Sequence, residues 1–226
     1  MPGTSVLIVE TSTPHASLAI AGADGGLTER AFSSDRSHNA LLFGPLAELL
    51  DPLPPGRIGT VLVGSGPGSY SGTRVGIAAA QGVAMVNGCQ AVAVPSILAV
   101  PAACGDTPCL VIGDARRGSY WTARVAVCQM LEAPTLTDAT GLITTVAAAA
   151  AQGVPVVSFE DPARFPLPER LFVAIRQEFP SATRLWHAWC SADEATRRTW
   201  AAAPPQPIYL KPPHITPGKR PWLVPL

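Results

Sequence analysis

The stretch VGSGPGSYSGTRVGIAAAQGVAMV, Val63 to Val86, constrains this chain more than any other. From Val75 to Val86 it holds no charge, and Gln81 is its one polar side chain. Coiled as a helix over Thr73 to Val86, it has two apolar faces. One carries Val75, Ala79, Gly82, Val83 and Val86; the other carries Ile77, Ala80, Ala84 and the methylenes of Gln81. A helix apolar all round must be covered all round. It is too short to span a bilayer, which takes about 20 apolar residues. One side therefore belongs to the chain's own core and the other to a second polypeptide.

The segment HNALLFGPLAELL, His38 to Leu50, reads as a similar helix, with leucines at 41, 42, 46, 49 and 50 on one face and Ser37 as its cap. Gly44 and Pro45 predict a kink or a later start. Two nearly uncharged neighbours cover each other along one edge only. The expected interface takes Leu41, Leu42, Pro45, Leu46 and Leu49 from the first helix, and Gly76, Ile77, Ala80, Gln81 and Ala84 from the second. Gly76, Ala80 and Ala84 let a partner helix approach closely. Cover by the chain's own C-terminal segment is the rival expectation.

The glycine-rich half of the stretch fails three motif tests. A P-loop needs lysine after its last glycine, where Gly72 is followed by Thr73 and Arg74. A dinucleotide fingerprint needs a third glycine where Ser71 stands. A nucleophile elbow needs glycines two residues either side of its serine, and neither Ser69 nor Ser71 has them. Two readings stand: a strand-to-helix bend that binds nothing, or backbone N–H groups converging on an anion. A residual nucleotide or anion site would draw on Glu10, Thr11 and Ser12, on Gly66, Gly68, Ser69, Ser71 and Gly72, and on Asp114 and Arg116. Glu10 and Asp114 are its carboxylates. The four histidines show no metal-ligand spacing, so no metal is expected.

Net charge is +0 from sixteen basic and sixteen acidic residues, which excludes a global field that would draw in nucleic acid or an acidic membrane. Charged residues are 14% of the chain, against about 25% in an average soluble protein, so the deficit falls on the surface. Five cysteines without C-x-x-C spacing argue against a disulfide framework or structural zinc and read as reduced core thiols. With no basic-plus-apolar leader and no membrane-length run, the expectation is a cytoplasmic protein.

Three strands are predicted around the turn GADGG: Ser5–Val9, Ala16–Ala21 and Leu27–Phe32. Strands Ile58–Val63 and Gln90–Val94 flank the long helix, and a short helix Ser96–Ala103 follows. A second unit begins near Thr107 with strands Cys109–Ile112 and Tyr120–Val127. Helix Ala139–Gln152, strand Val154–Phe159 and helices Glu169–Glu178 and Ser191–Ala203 complete it. The order indicates an α/β protein, divided at 1–104, 105–203 and a Pro-rich, partly extended 204–226. No internal repeat shows in the sequence.

The segments VLIVETST, RSHNALLFGPLAELL and above all GSGPGSYSGTRVGIAAAQGVAM followed by VPSI resemble the bacterial TsaB (YeaZ) family, as do GDAR at Gly113–Arg116, Tyr120, Trp121 and PIYLK at Pro207–Lys211. The resemblance covers about the first 125 residues and the end, and nothing is carried over to 130–205. It implies a two-lobe fold of the actin, Hsp70 and sugar-kinase type with a degenerate nucleotide cleft. It implies a non-catalytic partner in tRNA threonylcarbamoyladenosine formation that dimerises through its first two helices, with itself when alone or with the larger TsaD-like transferase subunit. A small TsaE-like ATPase joins that complex, and tRNA is met only through it. No cofactor is implied beyond weak nucleotide binding. In the catalytic relative an H-x-x-x-H on the first helix binds metal; here His38 is followed four residues on by Leu42. Glu10 replaces the usual aspartate, and Gly118-Ser119 lacks a glutamate often found there. The alternative implied by kinship is an ATP- or metal-dependent enzyme of the sugar-kinase or glycoprotease-like kind.

Overall fold

A computed structural model describes residues 4–33, 41–53 and 56–211. Five strands form the first sheet: β1 (Ser5–Glu10), β2 (His15–Ala21), β3 (Leu27–Ser33), β4 (Ile58–Gly64) and β5 (Gln90–Val94), in the order β3-β2-β1-β4-β5. The β-branched run of β1 pairs antiparallel with β2 and parallel with β4. In the β2–β3 turn Asp24 Oδ1 accepts from Gly26 N at 3.0 Å, and Gly25 supplies a φ of 85°. Helices α1 (Phe43–Leu50) and α2 (Tyr70–Asn87) cover one face of this sheet.

The second sheet repeats the plan. Its strands are β6 (Cys109–Asp114), β7 (Tyr120–Ala126), β8 (Gln129–Thr137), β9 (Val156–Ser158) and β10 (Ile175–Gln177), in the order β10-β9-β6-β7-β8. In each sheet a three-stranded antiparallel meander is followed by two parallel strands added at the first strand's free edge. Helices α3 (Ala139–Ala151) and α4 (Glu169–Phe172) pack on its outer face. The repeat is one of topology, so it left no trace in residue identity.

Between the sheets lies the shared core. Ile8, Leu62 and Val92 of the first sheet meet Val111, Trp121 and Val157 of the second through Ala182, Leu185 and Ala188 of helix α5 (Ala182–Ser191). Helix α6 (Glu194–Ala201) packs beside β5, where Gln90 Nε2 donates to the Ala201 carbonyl at 2.6 Å. Residues 182–201, expected in the second lobe, thus return to the first.

Other expectations need correction. The predicted helix Ser96–Ala103 is two 3-10 turns, Ser96–Ala99 and Pro101–Cys104, because Pro101 cannot continue the first. Glu169–Glu178 is a four-residue helix followed by β10. β8 was not foreseen; an edge strand tolerates Pro134, which masked its signal. α5 was missed as well. Of the five thiols read as core, Cys104 and Cys190 are exposed. Ser37 and His38 lie outside the described residues, as does the tail beyond Lys211. The helix begins at Phe43, with Pro45 in its first turn, where a missing N–H is harmless.

Candidate functional site

The glycine-rich loop meets the end of β1. Thr11 Oγ1 donates to Gly72 O at 2.8 Å, and Ser69 N donates to Ser12 O at 2.6 Å. A Cβ on Gly68 would stand 2.3 Å from Ser12 O, and one on Gly72 2.3 Å from Thr11 O, so only glycine admits the two loops to this contact. Donors that would cradle an anion are engaged inside the protein. Gly66 N bonds Ser96 Oγ at 3.0 Å, Gly72 N bonds the capping Ser69 Oγ at 3.2 Å, and Thr73 N bonds Ser69 O at 3.0 Å. Ser71 is exposed on the first turn of α2. Glu10, Thr11, Ser12, Gly66, Gly68, Ser69 and Gly72 therefore gather, but into a closed joint.

Glu10 is wholly buried there. Its Oε1 accepts from Ser12 N at 2.7 Å, whereas Oε2 and the Ser12 hydroxyl have no hydrogen-bond partner among the described residues. Burial pushes its pKa above the ordinary 4.5. The Ser12 and Ser96 hydroxyls pull the other way, but neither meets Oε2 in hydrogen-bonding geometry. Desolvation is the larger effect, so the site favours the protonated form more than water does.

Asp114 and Arg116 form their own pair in the second lobe. Arg116 Nη1 meets Asp114 Oδ2 at 3.0 Å, and Arg116 N donates to Asp114 Oδ1 at 2.6 Å. The C-terminal segment joins the two lobes across this side. Ile208 N donates to Ser65 O at 2.9 Å, and Lys211 Nζ donates to Arg116 O at 2.8 Å. The Tyr209 hydroxyl accepts from Arg74 Nε and Nη2 at 2.9 and 2.6 Å, while the same guanidinium lies 3.8 Å over the Tyr70 ring. Residues 204–211 of the tail expected to be partly extended thus form a strap.

The expected interface residues are placed differently from one another. Leu42, Leu46 and Leu49 of the first helical segment, and Gly76, Ile77, Ala80 and Ala84 of α2, are buried, the apolar side chains packing under the first sheet. Leu41 and Gln81 are exposed and Pro45 is half-buried. Ala80 and Ala84, expected to meet a partner helix, pack against the first sheet instead, so a charge introduced at either would be buried in the core. The outward face of α2 is the other one. Phe43, Val75, Ala78, Ala79, Gly82 and Val83, with the edge of Leu46, line an open groove of about 440 Å³ between α1 and α2. Beside it Phe43 is 59% exposed, Met85 82% and Val86 87%. Uniform apolarity hid the phase of α2; its contact with Thr11 through Gly72 fixes it.

Two lobes of one strand order, joined through a common core, give the chain a two-lobe fold of the actin, Hsp70 and sugar-kinase type. The model of the family described as "TsaD: tRNA N6-adenosine threonylcarbamoyltransferase" matches residues 32–168, more than half of the chain. The chain belongs to that family. Its fold is that of a solved structure described as YeaZ from Pseudomonas aeruginosa, 20% identical, with a TM-score of 0.65 over 92% of this chain and 100% of that one. A second structure, described as an uncharacterized protein with similarity to peptidase YEAZ from Pseudomonas aeruginosa, matches with the same identity, coverage and TM-score. No curated protein matches. Among the described residues no helix is long and apolar enough to cross a membrane, and no group of three ligating side chains could hold a metal ion.

Proposed function

We propose that the chain is a non-catalytic scaffold subunit of the cytoplasmic system that forms threonylcarbamoyladenosine in tRNA. It docks through the α1–α2 groove onto a homologous TsaD-like transferase subunit, or onto a second copy of itself when that subunit is absent. The exposed apolar groove carries this reading: a contiguous patch of Phe43, Val75, Ala78, Ala79, Gly82 and Val83 favours a protein partner over water. Burying about 800 Å² per partner gives an interface of ordinary specific size. A small TsaE-like ATPase and tRNA then meet the chain only within the complex. Light scattering of the chain alone and mixed with the transferase subunit tests this. A one-to-one complex supports docking; a mixture that elutes as two separate monomers overturns it.

A second reading, an ATP- or metal-dependent enzyme, draws on the unpartnered Glu10 Oε2 and Ser12 hydroxyl. The engaged donors of Gly66, Gly72 and Thr73 weigh against it, since a phosphate would have to break them. Calorimetry with Mg-ATP separates the two, and tight binding lost in Glu10→Ala would favour the enzyme.

A further inference from the structure

Three cysteines stand near one another where the first lobe passes into the second. Cys104 ends the 3-10 turn Pro101–Cys104, Cys109 opens β6, and Cys128 sits between β7 and β8. Cys128 Sγ donates to Cys104 Sγ at 3.1 Å across 24 residues of chain. Cys104 is exposed, whereas Cys109 and Cys128 are buried.

The turn holding Cys128 is strained. Val127 and Cys128 alone connect β7 to β8, and both are left-handed, with φ of 51° and 56°. Two-residue hairpins of this hand usually take Asn or Gly, and a β-branched residue there is a genuine outlier. Two bonds impose it: Val127 N donates to Gly105 O at 2.9 Å and Cys128 N to Ala103 O at 2.7 Å. The turn is thus laced to the residues either side of Cys104. Strain that surrounding contacts over-determine tends to mark function, and what this strain secures is the meeting of two sulfurs.

We propose that Cys104 and Cys128 form a reversible dithiol–disulfide pair oxidised by hydroperoxides. The exposed Cys104 sulfur attacks the peroxide, the O–O bond breaks, and Cys104 becomes a sulfenic acid as water or an alcohol leaves. Cys128 sulfur then attacks Cys104 sulfur; the S–O bond breaks, and hydroxide takes the Cys128 proton and leaves as water. Two thiols lose two electrons and two protons, and the peroxide is reduced. The sulfurs need close only about 1 Å to reach bonding distance. Burial pushes the Cys128 thiol up to about 12 and that of Cys109 up to about 11, which disfavours either as the first sulfur to attack, as does their lack of exposure. The bond ties the lobe-to-lobe connection to the β7–β8 hairpin. Such pairs in reducing compartments are redox-sensing and transient.

The test treats the full chain with hydrogen peroxide, then counts free thiols and maps peptides without reduction. The expected result is a fall from five thiols to three, a loss of about 2 Da, a Cys104–Cys128 linked peptide, and reversal by dithiothreitol. Cys128→Ser should stop at a dimedone-trappable sulfenic acid on Cys104. Cys104→Ser, an exposed change that spares the fold, should form no link. Five thiols surviving peroxide, linkage through Cys109 or Cys190, or a link still forming in Cys104→Ser would overturn the proposal.

Discussion

Thr11 and Gly72, 61 residues apart, are joined by a buried hydrogen bond of 2.8 Å from the threonine hydroxyl to the glycine carbonyl. That bond fixes how α2 is rotated on the first sheet. With Gly72 facing Thr11, the positions 76, 77, 80 and 84 follow inward at helical spacing, and 78, 82, 85 and 86 are left outside. The loop, read in the sequence as a bend or an anion cradle, is thereby the joint that presents the apolar groove between α1 and α2.

Gly72→Ala should destabilise the protein by about 1–3 kcal/mol, because its Cβ would meet a backbone oxygen that cannot swing aside. Helix propensity alone would yield a gain of up to about 1 kcal/mol. Urea unfolding decides: a lower midpoint supports the close joint, and a raised one contradicts it.

Glu10→Gln should change how stability depends on pH. The folded pKa of Glu10 lies above its ordinary 4.5, so the native state binds the proton more tightly than the unfolded chain. That contribution is complete below about pH 4.5 and is lost as pH rises through the folded value. The variant, which stays neutral, should gain on the wild type over this window and hold a constant lead above it. Parallel stability curves from pH 4 to 9 would show that Glu10 is not desolvated.

Arg74→Ala should loosen the strap without unfolding the core. Tyr209 would lose both guanidinium hydrogen bonds, and Tyr70 its stacked cation. Hydrogen exchange at the Ile208 amide, bonded to Ser65 O, should quicken several-fold while β1 and β4 keep their protection. Unchanged exchange would mean that Arg74 does not hold the segment.

Ala80→Asp should unfold the first lobe or cost more than about 3 kcal/mol, since it puts a charge where the structure is fully buried. Circular dichroism and thermal melting read this directly. A folded variant of unaltered melting temperature would show that Ala80 faces outward.

The first lobe was legible because β1, β4 and β5 are rich in β-branched residues, with glycine or proline beside β4 and β5, and because the Asp-Gly-Gly turn marks the β2–β3 hairpin. The second lobe was harder. β8 is an exposed edge strand containing Pro134, and residues 173–177 pass from helix to strand within a few positions. α5 buries only Ala182, Leu185 and Ala188, a weak stripe among tryptophans, and its place beneath the first sheet depends on contacts no local pattern encodes. The residues of the glycine loop were found by composition, but their closure by Thr11 and Ser12 is a tertiary fact. Both faces of α2 are apolar, so the sequence did not mark which side packs on the sheet.

The most direct test is the mass of the complex formed with the transferase subunit by wild type and by Gly82→Glu. Gly82 lies in the groove, and a Cβ there meets nothing within 4 Å, so the variant should fold as wild type does. Wild type should give a one-to-one heterodimer and Gly82→Glu two separate species. A Gly82→Glu chain that still assembles with undiminished affinity would contradict docking through α1 and α2.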